Sequence, residues 1–234
     1  MKKSIYVLGT LLSALMVLFS ACEDDAVNAS REAIVPEISI EGNSVIVWER
    51  GEQFVEPGYT ASFAGQDYTS RVEVKGFLNV NKTGSYPLKY IIKTDDGLFA
   101  FANRLVIIPN NAPSPLASGA YGIDGTKSHR INAAGTVTTY GGNFSIYLYQ
   151  TANDGEFYVS DFLGGYYDQR AGYGSSYAAS GTMKVDQDGN FTLIDSKVPG
   201  WQDGLTGLSG SISETGEISW SAIYAGMTFN VVLK

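Results

Sequence analysis

Apolar and polar residues alternate with period two in short bursts along most of the chain, and no window sustains the 3.6-residue period of an amphipathic helix. The bursts at 38–40, 44–48, 71–75, 86–92 and 99–108 are rich in Val, Ile, Tyr and Phe. Turn-forming Gly42-Asn43, the 81–84 stretch and Asp95-Asp96-Gly97 separate them, so this region predicts a small β-sandwich. A second series follows at 135–140, 144–149, 157–160, 181–185, 191–194, 210–213, 217–223 and 227–233. Its connections at 153–155, 186–190 and 213–216 carry Asn, Asp and Gly, which tolerate positive φ and suit tight hairpins. About eight antiparallel strands of this kind predict a meandering sandwich or barrel. Between the two series, residues 109–115 hold three of the seven prolines, the composition of a short, semi-rigid connection. The all-β reading therefore divides the chain into a first unit at 34–109, a linker at 110–115 and a second unit at 116–234.

The first 33 residues follow a different pattern. Lys2 and Lys3 precede an apolar run from 5 to 20 that is shorter than a membrane span needs, so residues 1–21 read as a secretory signal peptide. Leu18-Phe19-Ser20-Ala21-Cys22 resembles a bacterial lipobox, with small residues before the cysteine and Phe19 where Leu is more usual. The resemblance implies diacylglyceryl transfer to the Cys22 sulfur, cleavage before Cys22 and acylation of the new amino terminus. Several acyl chains would anchor the protein firmly, since each buried methylene contributes about 0.8 kcal/mol. The alternative is a secreted protein without lipid and with an incidental cysteine. Residues 22–33 form a polar tether, in which Glu23-Asp24-Asp25 resembles the export signal that places Bacteroidetes lipoproteins on the outer face of the outer membrane. Read without that resemblance, the triplet is simply a solvated tether.

Charge and composition narrow the partners. The net charge of −8 deepens to −10 once residues 1–21, with two lysines and no acids, are removed. Such a surface has no basic face for phosphates, which argues against nucleic acid, and it leaves membrane contact to the lipid anchor. One cysteine and one histidine among 234 residues exclude an intramolecular disulfide framework and a Cys-rich zinc site. Glycine and aromatic residues are unevenly spread: residues 116–234 hold 19 of 27 glycines and 17 of 29 aromatics, which directs the search for a site there.

The first unit resembles the bacterial immunoglobulin-like domain found on secreted and cell-wall proteins and in a pesticidal crystal protein. The residues that carry the likeness are Gly51, the 54–61 run containing Glu56-Pro57-Gly58-Tyr59, Asp67, Gly76, Thr83-Gly84 with Tyr86 and Tyr90, Asp96-Gly97, and Arg104-x-Val106-x-Ile108. The resemblance implies a spacer that holds another domain away from the membrane, with direct binding as the alternative. Over its whole length the chain is similar to a family of Bacteroidetes lipoproteins built from a lipid anchor, an immunoglobulin-like domain and a C-terminal β-domain without an assigned activity. Asp154-Gly155, the 160–167 run, Tyr173-Gly174, Gly200-Trp201 and Tyr224-Ala225-Gly226 carry that likeness. In plan such proteins resemble accessory lipoproteins of polysaccharide-uptake systems, which implies a polysaccharide or oligosaccharide ligand and an outer-membrane transporter complex as partner.

The candidate site lies in residues 161–177, too glycine-rich for a strand interior and too aromatic for an ordinary loop. Tyr and Trp offer flat apolar faces to the CH-rich faces of a sugar, while Asp, Gln and Arg satisfy its hydroxyls. Tyr166, Tyr167, Asp168, Arg170, Tyr173, Tyr177, Trp201 and Gln202 are the expected ligand contacts. The alternative is that these aromatics pack over one end of the barrel and Gly164-Gly165 only makes a turn. Catalytic patterns are weak. No G-x-S-x-G elbow occurs, Ser175-Ser176 has only His129 as a base, and His129 itself is expected on a surface loop. Asp161 and Asp168 are the least implausible carboxylate pair for glycoside hydrolysis. The 186–190 segment superficially resembles a calcium loop, but Gly189 and Lys197 stand where that motif needs other residues, so a hairpin turn is expected. No cofactor or metal and no catalysis are expected. The leading reading is a lipid-anchored glycan-binding surface protein; an envelope assembly component that binds a protein partner is the alternative, and a hydrolase with an unrecognised site is a third.

Overall fold

The computed structural model describes residues 34–234. The signal peptide, Cys22 and the acidic tether lie outside the described residues. Pro36–Lys234 forms one unit, and its regular secondary structure is almost all strand.

The first seven strands are β1 (Glu37–Ile40), β2 (Val45–Val47), β3 (Tyr59–Phe63), β4 (Gln66–Asp67), β5 (Glu73–Lys75), β6 (Gly84–Lys93) and β7 (Phe99–Ile108). They make two sheets, ordered β1-β3-β4 and β2-β7-β6-β5. The long β6–β7 hairpin is antiparallel from Gly84↔Ile108 to Lys93↔Phe99, and β2 joins β7 in parallel. Alternation along β6 turns Leu88, Tyr90 and Ile92 inward, and they are buried. Leu88 and Tyr90 pack with Val106 and Ile108 of β7 against Ile38, Ile40, Trp48, Phe54 and Tyr59. Strands β3 and β4 were not among the predicted elements. The buried residue of β3 is Ala61, too small and too weak in β-propensity to mark a strand by pattern, and β4 is only two exposed polar residues.

Within this core Arg104 is 1% exposed. Its guanidinium donates to the carbonyls of Asn43 (2.7 Å), Glu41 (2.8 Å) and Gly58 (3.1 Å), and pairs with Glu56 at 3.0 Å. Glu56 also accepts the Tyr90 hydroxyl. Burial, then that carboxylate, pushes the hydroxyl up to about 12. The Glu56-Pro57-Gly58 run is thus the binding partner of a buried cation.

The remaining strands are β8 (Gly119–Gly122), β9 (His129–Ile131), β10 (Val137–Thr139), β11 (Ser145–Gln150), β12 (Glu156–Val159), β13 (Ser180–Val185), β14 (Asn190–Lys197), β15 (Gly207–Ile212), β16 (Ile218–Tyr224) and β17 (Met227–Val232). All ten belong to one antiparallel sheet, ordered β10-β9-β17-β16-β15-β14-β13-β12-β11-β8. The sheet curls into a half-barrel. Edge strand β8 comes back toward β17, where Asp124 N–H donates to Val232 (2.8 Å) and Lys234 N–H to Gly122 (2.9 Å). Eight of these strands were predicted. The two extra ones, β8 and β9, are short and carry Gly-Ala-Tyr-Gly and His-Arg-Ile, with no apolar alternation to announce them.

His129 accordingly stands on β9 and not on a surface loop. It is half-buried between Thr139 and Asn230, and its ring nitrogens meet Lys127 O (2.9 Å) and Asn230 Nδ2 (3.0 Å). The 186–190 segment is the β13–β14 hairpin turn. Asp186 accepts the N–H groups of Asp188 (3.0 Å) and Asn190 (2.8 Å), with Gly189 at φ 81°.

The concave face of the curled sheet is the larger core, including Leu148, Phe157, Met183, Phe191, Trp220 and Phe229. Burying several rings, each removing about 150–250 Å² from water, makes this core the main source of stability in the unit. Residues 160–179, between β12 and β13, contribute Phe162 and Leu163 to it, both fully buried. The glycine- and aromatic-rich segment 161–177 therefore lies within a plug of the half-barrel.

Candidate functional site

The plug is organised by Asp161, which is 2% exposed. Its carboxylate accepts the N–H groups of Leu163 (2.9 Å), Gly165 (2.8 Å) and Ala179 (2.9 Å), tying both ends of the plug to one side chain. Burial outweighs these three donors and raises the carboxyl to about 6. Gly164 and Gly165 follow at φ 61° and 79°. A Cβ on Gly164 would stand 3.0 Å from Val231, so side chains other than hydrogen meet both strain and contact there. Their turn launches a single π-helical turn, Tyr166–Arg170, and a 3-10 turn, Ser175–Tyr177, follows.

These turns sort the predicted residues by depth. Tyr166 is only 4% exposed and belongs to the core, edge-on to Tyr140 and Phe229. The guanidinium groups of Arg130 and Arg170 lie 4.9 and 5.0 Å from its ring centroid. Arg170 also donates to the Tyr140 carbonyl at 3.0 Å, so both Tyr166 and Arg170 hold the plug in place. For Tyr166 the structure shows the barrel-end packing that the sequence left open.

Tyr167 is half-buried and forms the step between core and surface. Its ring meets Phe229 (5.8 Å) and Tyr224 (6.3 Å) below, and Tyr173 (6.1 Å, stacked) and Trp201 (4.9 Å) above. Tyr173, 56% exposed, and Trp201, 40% exposed, then stand at the surface with Tyr177, whose ring is 5.5 Å from Tyr173 and 4.9 Å from Trp201. Tyr177 lies flush on Gly200: a Cβ there would fall 2.6 Å from the ring. Trp201 stacks on Tyr224 at 5.9 Å, and the Tyr224 hydroxyl donates to Asp203 at 2.8 Å. The result is an aromatic platform, Tyr173–Tyr177–Trp201, standing on Tyr167 and Tyr224, which in turn rest on the core.

Gln202 sits beside the platform at φ 60°, and its amide donates to the nearby Pro199 carbonyl in an exposed turn. Asp168 is half-buried and lines a separate cavity with Asp161 on the β11–β12 side. Burial raises the Asp168 carboxyl above the usual range. Asp161 is an unsuitable partner for hydrolysis because its oxygens are already engaged by three buried N–H groups. Sequence reading missed Tyr224, Gly200 and Arg130. The first two belong to matched segments but show their purpose only once Trp201 and Tyr177 are brought against them. Among the described residues no group of three or more His, Cys, Asp or Glu side chains is placed to hold a metal.

The architecture is thus an immunoglobulin-like sandwich followed by a curled, plugged antiparallel sheet. A family model described as "Bacterial surface protein, Ig-like domain" matches residues 38–108, and a C-terminal-domain model matches residues 110–234. The crystal structure of the lipoprotein BT2262 from Bacteroides thetaiotaomicron is similar at 38% identity and a TM-score of 0.78, covering 85% of this chain and 99% of that one. The chain belongs to the BT2262-like lipoprotein family. A Clostridium perfringens ZmpB structure containing CBM51-2 in complex with GlcNAc overlaps 53% of this chain and 31% of its own at 17% identity, with a TM-score of 0.29. No curated protein matches.

Proposed function

We propose that this surface lipoprotein captures glycan on the Tyr173–Tyr177–Trp201 platform and has no catalytic role. The carrying observation is that three surface rings are held by an unbroken aromatic stack rooted in the core, so they meet a ligand without first being ordered. Preorganised Tyr and Trp faces lose little conformational entropy on contact, which suits the weakly apolar face of a sugar. The immunoglobulin-like unit acts as the spacer, and lipid on Cys22 holds the protein at the outer face of the outer membrane, beside a transporter that takes up the captured polysaccharide.

A second reading, an envelope assembly component that binds a protein partner, is favoured by one observation. Phe99 (68% exposed) and Phe101 (50% exposed) on β7 present apolar surface on the immunoglobulin-like unit. Calorimetry or affinity electrophoresis against a polysaccharide panel separates the two. Glycan capture predicts binding to at least one polysaccharide, weakened about tenfold or more by Tyr173→Ala and by Trp201→Ala. Absence of binding across the panel, or binding indifferent to both changes, would sink the platform. For the anchor, Cys22→Ser is expected to abolish metabolic labelling with palmitate; persistent labelling would refute it.

A further inference from the structure

The plug has a second flank, facing β11 and β12, and that flank encloses a cavity of about 230 Å³. On strand β11 the inward residues Ile146 and Leu148 belong to the core, while Ser145 and Tyr147 point the other way and line the cavity. From β12 and the residues after it come Tyr158 and Ser160, and from the plug come Asp168, Gln169 and Ser175. The wall is therefore a mixture of two tyrosine rings, 6.0 Å apart, with hydroxyls, an amide and a carboxylate.

The cavity is preformed. Gln169 clamps the plug to β11 by pairing its amide with the Ser145 backbone: Oε1 accepts Ser145 N–H at 3.1 Å and Nε2 donates to Ser145 O at 2.7 Å. Ser160 Oγ likewise accepts the Tyr147 N–H at 2.9 Å. The four ion pairs among the described residues all use other carboxylates, so Asp168 is half-buried without a cation. A carboxylate in that state favours a ligand that brings hydrogen-bond donors. A calcium ion does not suit the site, because it takes six to eight oxygen ligands and Asp161 already spends its oxygens on three N–H groups.

We infer that this cavity is a subsite for a single sugar ring, with Tyr147 and Tyr158 covering apolar CH groups and Asp168 and Ser175 receiving hydroxyls. Its volume falls below the roughly 300–1,000 Å³ of drug-sized ligand pockets, which limits the occupant to about one ring. The inference deepens the glycan reading and rests on it for the ligand class: the platform meets an extended chain, and the cavity admits one unit at an end or a branch.

The test is calorimetry on the full-length protein in detergent, with a panel of free monosaccharides and, in parallel, the polysaccharide panel. The expected result is binding of at least one monosaccharide to the wild type, weakened about tenfold or more both by Asp168→Asn and by Ser175→Phe, which fills the cavity mouth. Circular dichroism in the aromatic region checks that both variants keep the plug. Monosaccharide binding that persists in both variants overturns the subsite. So does the absence of any monosaccharide binding when polysaccharide still binds, and in that case the platform reading stands. Failure of both panels removes both readings together.

Discussion

In the immunoglobulin-like unit a buried cation gathers carbonyl oxygens, whereas in the C-terminal unit a buried anion gathers amide N–H groups. Arg104 reaches residues 46 to 63 positions away in sequence and keeps a counter-ion, Glu56. Asp161 reaches only residues 2, 4 and 18 positions away and relies on backbone dipoles alone. The first device joins segments of the sandwich that are distant along the chain, and so belongs to the stability of the whole unit. The second shapes one local segment, and so belongs to the site. With no counter-ion beside it, burial raises the Asp161 carboxyl to about 6.

Mutation should separate the two devices. Arg104→Met strands Glu56 and three carbonyls, and by analogy with broken buried ion pairs it should cost about 3–5 kcal/mol in urea unfolding. A cost below about 1 kcal/mol would mean that water reaches those carbonyls after all. Asp161→Ala orphans three buried N–H groups and should cost about 3 kcal/mol. Unlike Arg104→Met in a chain that remains folded, it should also change the aromatic circular dichroism, because the plug carries the platform.

The same carboxylate predicts a pH effect. A folded value near 6, above the ordinary 3.8, means that the folded state binds the proton more tightly. Stability from this group should therefore rise as pH falls from 7 to 5, by an amount on the order of 1 kcal/mol, and Asp161→Asn should lack the rise. A parallel pH response in wild type and variant would assign the titration elsewhere. Gly200→Ala pushes Tyr177 off its seat and should cost about 1 kcal/mol while weakening polysaccharide binding about threefold. Tyr173→Ala marks the small end of the scale for stability, under about 0.5 kcal/mol, because the ring is mostly exposed. If Tyr173→Ala destabilised the protein as much as Asp161→Ala, the platform would be core and not surface.

Much of this was legible in the chain, for reasons that differ by element. Long hairpins such as β6–β7 and β16–β17 announce themselves because each turns every second residue into the core. Strands β3, β8 and β9 do not, since Ala61, Gly119, Gly122 and His129 carry little of the period-two signal. Within the candidate site, the segment 161–177 and Trp201 stood out by composition, and the fold does bring Tyr167, Tyr173, Tyr177 and Trp201 together. Composition gave no means to tell Tyr166 from its neighbour Tyr167, though one is core and the other is the step to the surface.

The sequence by itself determined the all-β class and the likeness to a surface lipoprotein, because strand periodicity, turn chemistry and the lipobox-like signal are local patterns. Only the tertiary structure decided which aromatic rings face water. Depth depends on the curl of a ten-stranded sheet, which pairs strands as distant in the chain as β9 and β17, and on how the plug that Asp161 ties together is seated against that sheet.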